Sequence, residues 1–220
     1  MKEFREIKNI FWDVDGVLAD LNYAYYHFLT GHPKYREQYE GLKWEQLPEV
    51  LPILPEYGAL ELKTHPELGT EMDQDFCADQ KFFRNRPLYP GVIEALTELH
   101  EGGYRQFTMS ATFDVIAKRA YLEDVLAPVT DFLTIECVEH GEFMNDSAKR
   151  DSLLACYRKY GLQPEETILV DDRIYNLYAA IDSGAHPVRM RCEFTTDLPA
   201  ELSWVPEFPN VPALKDWLLE

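Results

Sequence analysis

The tightest constraint on this chain is an apolar run, Ile10-Phe11-Trp12, that stops on Asp13-Val14-Asp15-Gly16. Such a run suits a fully buried strand. Carboxylates cannot follow it into the core, so the strand ends at a crevice, with glycine permitting the turn. The pattern recurs where Tyr104 to Met109 ends in Ser110 and where Thr167 to Val170 ends in Asp171-Asp172. Between these runs the apolar spacing becomes helical. Pro90-Gly91 opens a helix with Val92, Ile93, Leu96 and Leu99 on one face, closed by Gly102-Gly103. Phe113 to Tyr121 reads as a second helix. Leu153, Leu154 and Tyr157 mark a third, stopped by Gly161, and Leu177, Ala180 and Ile181 a fourth that begins near Ile174 and ends near Gly184. Phe132 to Ile135 and Pro187 to Met190 complete the strands. This alternation predicts an α/β fold, a Rossmann-like parallel sheet with helices on both faces.

Residues 20–87 break the rhythm. Pro33, Pro48, Pro52, Pro55 and Pro66 lie there among aromatics and acids with little strand alternation. The stretch reads as a helical cap domain inserted into a core of residues 1–19 and 88–220, which suits a 220-residue chain at about 150 residues per domain. Tyr23, Tyr25, Tyr26, His27 and Trp44 read as the interior of that cap. After a proline-rich tail, Asn210-Val211-Pro212 starts a short helix whose Leu214, Trp217 and Leu218 dock on the core.

With 21 basic against 39 acidic residues the net charge is −18, which sets the chain against nucleic acid and anionic membranes. Cys77, Cys137, Cys156 and Cys192 form no CxxC pair, so neither a zinc site nor a disulfide framework is expected. Acids near the N-terminus and the lack of a long apolar run argue against a signal peptide or a membrane span, and the expected location is cytoplasmic. Oligomeric state is not encoded in any feature of the chain.

Ligands of open parallel sheets bind beyond the carboxyl ends of the strands, so Asp13 and Asp15, Ser110, and Asp171 and Asp172 should converge on one crevice. Side chains two apart on an extended segment point the same way, which makes Asp13 and Asp15 neighbours facing the later pair. Four carboxylates gathered there would raise one another's pKa unless a cation neutralised them. Oxygen ligands without His or Cys suit magnesium, which keeps waters and takes substrate phosphate, so a small phosphorylated metabolite is the natural partner.

At these positions the chain resembles the haloacid dehalogenase superfamily, in particular its phosphatase branch with a helical cap after the first motif. Asp13-Val14-Asp15-Gly16-Val17 is similar to the first motif, Ser110 to the second, Lys149 to the third, and Val170-Asp171-Asp172 with Asn176, Ala179, Ala180 and Gly184 to the fourth. Pro87-Leu88-Tyr89-Pro90-Gly91-Val92 resembles the return from cap to core. The resemblance implies a magnesium-dependent phosphomonoester hydrolase working through an aspartyl-phosphate. Asp13 would be the nucleophile and Asp15 the acid and then the base, while Ser110, Ala111 and Lys149 would hold the phosphoryl group. Asp13, Asp15 through its backbone carbonyl, Asp171 and Asp172 would hold the metal, with Asp172 ligating through water or orienting Lys149. Arg150 stands where the family commonly has proline after the lysine, so Lys149 rests on position and Lys118 is the weaker alternative. A sugar phosphomutase, a nucleotidase and a non-catalytic binder of phosphorylated ligands are the rival readings. Lys81, Arg84 and Arg86 cluster where the cap returns and read as solvated or hinge-bridging charge, or as the contact for a substrate's anionic end. Gly16 reads as a backbone requirement, Asn176 as a helix-face residue rather than a ligand, and His140 and His186 as structural or exposed.

Overall fold

The first strand, β1 (Asn9–Trp12), lies inside a six-stranded parallel sheet, and the alternation of its side chains sets the layers of the molecule. The computed structural model describes residues 6–112, 114–139 and 148–220. Along the chain β1 is followed by α1 (Leu21–Gly31), α2 (Leu47–Val50), α3 (Gly69–Ala78), α4 (Gln80–Phe83) and α5 (Val92–Glu101). Then come β2 (Arg105–Thr108), β3 (Ser110–Thr112), α6 (Val115–Val125), β4 (Leu133–Thr134), β5 (Cys137–Glu139) and α7 (Ala148–Tyr160). The chain ends with β6 (Thr167–Asp171), α8 (Ile174–Ser183), β7 (His186–Met190), β8 (Glu207–Phe208) and α9 (Val211–Leu219).

The sheet order is β4-β2-β1-β6-β7-β8. Ile10 and Trp12 of β1, with Ile168 and Val170 of β6, pack on one side against Leu96 and Leu99 of α5 and Leu214 of α9. Phe11 and Leu169 face the other way, onto Leu153 and Tyr157 of α7 and Ala180 of α8. Both faces are thus covered, which is why β1 and β6 are buried along their whole length instead of alternating between buried and exposed. From β1 the chain builds outward through β2 and β4, then crosses to β6 on the opposite side of β1. That reversal puts the switch point at the carboxyl ends of β1 and β6, where a crevice must open.

Three local expectations are corrected. The helix expected from Phe113 begins at Val115, because the Asp114 side chain accepts a hydrogen bond from Ala117 N at 2.9 Å and caps it there. Ser110, expected to end the strand from Tyr104, instead opens a further strand, β3, which pairs with β5 in a small second sheet. β8 adds an edge strand beyond Pro187 to Met190, in the tail read as irregular. Phe113 itself and His140 lie outside the described residues.

The inserted segment carries its own apolar cluster around Phe28, Leu47, Leu51, Leu62 and Met72. It joins the core through two paired hinge strands, with Asp20 N bonded to Pro87 O and Tyr89 N to Leu18 O, each at 2.9 Å. A second fastening lies elsewhere. Ile174 N donates to Tyr57 O and Thr196 N to Gly58 O, both at 3.0 Å, and Arg189 Nη2 reaches Gly58 O at 3.3 Å. Gly58 has φ +72°, and a Cβ there would stand 2.8 Å from the Ile174 side chain. The four cysteines are free, and among the described residues no helix is long and apolar enough to cross a membrane.

Candidate active site

β1 ends by passing its ladder to the neighbouring strands, Asp13 N bonding Val170 O at 2.9 Å and Met109 N bonding Trp12 O at 2.7 Å. This places Asp13 beside Asp171, the last residue of β6. Lys149, on the first turn of α7, donates to Asp13 Oδ1 at 2.8 Å and also to Asp171 Oδ2. Asp171 Oδ1 accepts two further bonds at 3.0 Å, from Asn176 Nδ2 and from Arg173 N. It is Asp171, then, that orients Lys149, not Asp172 as the resemblance allowed. Asn176 lines the cavity and spends its amide on Asp171.

Asp172 stands apart. It is buried, its Oδ1 finds no hydrogen-bond partner among the described residues, and its Oδ2 accepts from Cys192 Sγ at 3.9 Å. Gly16 makes room for it: with φ +83°, a Cβ on Gly16 would lie 2.2 Å from Asp172 Oδ2. Burial pushes the Asp172 carboxyl well above its usual range, and neighbouring Asp171 and Asp13 add to the effect against the opposition of Arg173. Burial also raises Asp13, with Lys149 opposing and Asp171 and Asp15 assisting. In Lys149 the penalty of burial is outweighed by Asp13 and Asp171, which hold the ammonium charged. Carboxylate oxygens of Asp13, Asp171 and Asp172 lie within 4.8 Å of one another, so the three could share a metal ion. An all-oxygen set with one orphaned buried carboxylate oxygen fits such an ion.

Asp15 belongs to a different cluster. Its Oδ1 accepts from Arg86 Nη1 at 2.7 Å and its Oδ2 from Lys118 Nζ at 2.6 Å. Burial alone would raise its pKa, but Arg86 and Lys118 overcome that and hold the carboxyl well below the usual carboxylate range. Its side chain is therefore outside the metal-sized group of Asp13, Asp171 and Asp172, which leaves its backbone as the only way to join such a group. Lys118, the alternative to Lys149, serves Asp15 rather than Asp13. Burial and the nearby Arg86 bring its ammonium down to about 8.

Ser110 is buried with its Oγ unpartnered among the described residues, a donor without an acceptor. The neighbouring hydroxyl, Thr108 Oγ1, is by contrast engaged with the Glu136 backbone, donating to O at 3.0 Å and accepting from N at 3.1 Å. Ala111 lines the same cavity as Asp13, Asp15 and Lys149, a space of about 830 Å³ with its open mouth included. The inserted segment closes the far side with Tyr25, Glu61 and Asp73. Tyr25 is thus both interior to that segment and exposed to the cavity, whereas Tyr26 turns away to donate to Leu42 O at 3.1 Å. Glu61 pairs with Arg173 Nη1 at 2.8 Å, so an acid of the inserted segment meets a base at the start of α8.

Of the basic hinge cluster only Arg86 enters the site. Arg84 reaches Asp124 at 3.4 Å on the surface, and exposed Lys81 lies over the Phe82 ring. His186 touches Glu165 O at 3.0 Å, at the opposite end of the strands. Glu61 and Arg173 were not singled out by sequence reasoning, whereas Arg86 was read within the hinge cluster as hinge-bridging charge or a contact for a substrate's anionic end, and Lys118 as the alternative to Lys149.

Residues 7–184 match the family model of the haloacid dehalogenase-like hydrolases. No curated protein matches the chain. Among solved structures, a haloacid dehalogenase-like family hydrolase of Streptococcus pneumoniae is similar at TM-score 0.67 and 16% identity, covering 99% of each chain. CbbY of Rhodobacter sphaeroides, solved in complex with phosphate, aligns at TM-score 0.61 and 17% identity over 94% of this chain and 96% of its own. The L-2-haloacid dehalogenase of Xanthobacter autotrophicus, with chloropropionic acid covalently bound, aligns at TM-score 0.64 and 14% identity over 96% and 98%. At such identities the likeness is one of fold.

Proposed function

The chain belongs to the haloacid dehalogenase-like hydrolases, and from that premise we propose that it is a magnesium-dependent phosphatase of small phosphomonoesters, with Asp13 as nucleophile. The observation that carries this reading is the pairing of Asp13 with Lys149 beside a set of three carboxylates that could hold a metal ion. Asp13 Oδ1 lies 2.8 Å from Lys149 Nζ, and the Asp172 oxygen beyond it has no protein partner among the described residues. Asp13, Asp171 and Asp172 would hold the ion. Bound there, magnesium would neutralise carboxylates that otherwise repel a phosphate dianion.

This chain's own residues then do the following. An Asp13 oxygen attacks phosphorus, forming an aspartyl-phosphate as the bond to the ester oxygen breaks. The Ser110 hydroxyl and the Lys149 ammonium donate to the phosphoryl oxygens and spread the charge that develops on them. Asp15 takes up a proton from solvent once parted from its cations, gives it to the departing oxygen, then as carboxylate takes one from the water that hydrolyses the intermediate. Alcohol and phosphate are the products. Halide displacement needs no proton donor, so a second acid two residues after the nucleophile favours phosphoryl chemistry over dehalogenation. To act as donor Asp15 must first part from Arg86 and Lys118, a condition taken up below.

Incubation with p-nitrophenyl phosphate and magnesium tests the reading. Phosphate release is expected, with Asp13→Asn reducing kcat by about a thousandfold or more and chelation abolishing turnover. No release from this ester or from a panel of phosphorylated metabolites, with ligand binding intact, would leave a binding module instead.

A further inference from the structure

Two buried cations serve one carboxylate at the hinge. Arg86 and Lys118 have side chains only 2% and 1% exposed, yet both line the cavity and both spend their charge on Asp15. A buried cation in excess of its counter-ions is unfavourable unless a ligand completes the count. Arg86 shows the deficit directly. Its Nη1 holds Asp15, but its Nε and Nη2 are buried without a hydrogen-bond partner among the described residues. The guanidinium is fixed in place meanwhile. Phe83 and Tyr121 rings flank it with centroids at 4.3 and 4.7 Å, and the Tyr121 hydroxyl donates to Arg86 O at 2.7 Å. A rigid, desolvated arginine with open donors is suited to an oxyanion, which guanidinium binds with paired N–H groups.

We propose that Arg86 and Lys118 form a second anion site, which takes a negatively charged group on the leaving half of the substrate, a carboxylate or a further phosphate. The inference rests on the phosphatase reading for the place of the leaving group. An anion arriving there takes over the two cations and frees the Asp15 carboxylate to take a proton from solvent and turn toward the ester oxygen. A neutral leaving group cannot make that exchange, and Asp15 then stays with Arg86 and Lys118. The substrate's charge thus decides whether the acid is available, which makes the pair a specificity device as well as a binding site. Arg84 and Lys81, on the surface of the same hinge, take no part.

The experiment compares phosphate release, with magnesium, from three matched esters: the phosphate of 3-hydroxypropionate, the monophosphate of 1,3-propanediol and its bisphosphate. The carboxylated ester, the bisphosphate or both should exceed the neutral monophosphate in kcat/KM by about 10- to 100-fold, and the better of the two identifies the anion. Arg86→Met should erase most of that preference. Arg86→Lys, which keeps the charge without the fork, should retain part of it. Turnover of all three at similar kcat/KM overturns the anion site while sparing the phosphatase reading. A separate measurement does not depend on turnover. In metal-free buffer the Asp13 end repels anions, so malonate should raise the Tm of the unmodified protein saturably and should not raise that of Arg86→Met. Failure of malonate to stabilise the unmodified protein overturns the site even if the protein hydrolyses none of the esters, an outcome that would instead sink the phosphatase reading.

Discussion

The two ends of the cavity are unbalanced in opposite senses. At the core end three carboxylates, Asp13, Asp171 and Asp172, face the single ammonium of Lys149. At the hinge end two cations, Arg86 and Lys118, face the single carboxylate of Asp15. Both clusters hold acids and bases side by side, so residue type alone does not separate them. The count does: one end is completed by a cation, the other by an anion. A third pair makes the contrast sharper, since Glu61 and Arg173 meet one to one across the junction of the inserted segment and the core. That pair is balanced in charge and spans the two parts of the chain, although Glu61 Oε1 and Arg173 Nε are also buried without a hydrogen-bond partner among the described residues.

That distinction gives the largest stability effect outside the chemical step. Glu61→Gln leaves Arg173 buried with a neutral partner, and loss of about 3 kcal/mol is expected for breaking a buried pair from one side. Urea unfolding measures it. A midpoint unchanged from wild type would mean that the pair holds nothing together, and the contrast between balanced and unbalanced clusters would lose its meaning.

A smaller effect tests the acid that lines the cavity without belonging to either cluster. Burial, with Glu61 nearby, pushes the Asp73 carboxyl up to about 6, against the pull of Lys63 and Arg173. A carboxyl raised on folding favours the native state while it is protonated. Its contribution is therefore full below its unfolded pKa near 4 and is lost as pH rises through about 6. Asp73→Asn should remove this dependence and be more stable than wild type at pH 7 by on the order of 1–3 kcal/mol, with no advantage at pH 4. Parallel stability curves for the two proteins across that window would assign the strain elsewhere.

Asp172 supplies the next test, at the core end. Without metal its buried carboxylate has an unpartnered oxygen, so Asp172→Asn should stabilise the metal-free protein by roughly 1 kcal/mol. Magnesium should raise the Tm of wild type and leave that of the variant unmoved. An equal magnesium response in both proteins would take Asp172 out of the ion's ligand set and leave the core end unexplained by its charge count.

Much of the core end could be read from the chain because each of its acids ends an apolar run. The periodicity that makes Ile10 to Trp12 and Thr167 to Val170 strands also fixes where Asp13 and Asp171 emerge, and β1 pairs with β6 in register. What the pattern could not resolve is which of two adjacent acids turns to Lys149, since that depends on the bend after β6, where Asp171 is tied to Arg173 N and Asn176. At the hinge end Arg86 was legible as a candidate anion contact and Lys118 as an alternative to Lys149, but not their meeting on Asp15. Arg86 and Lys118 reach Asp15 across 71 and 103 residues of chain, and a lysine inside a helix such as α6 has the same local signature whether it faces solvent or a buried acid. The three-residue strands β3 and β5 were missed for a related reason: they are too short to show a period, and their pairing is set by contacts distant in sequence.

The smallest expected effect separates Arg86 from its neighbour. Arg84 stands two residues earlier with the same side chain, but it is exposed and reaches a still more exposed Asp124 at 3.4 Å. Such a pair contributes at most about 0.5 kcal/mol, because water screens it and two long side chains lose freedom to form it. Arg84→Met should therefore leave the unfolding midpoint and the preference for anionic esters close to wild type, while Arg86→Met loses that preference. If Arg84→Met lost it to the same degree, the anion would be recognised at the rim of the cavity by the hinge's general positive charge. The two unsatisfied nitrogens of Arg86 would then need another explanation, and the opposition between the two ends would reduce to one metal site beside a charged surface.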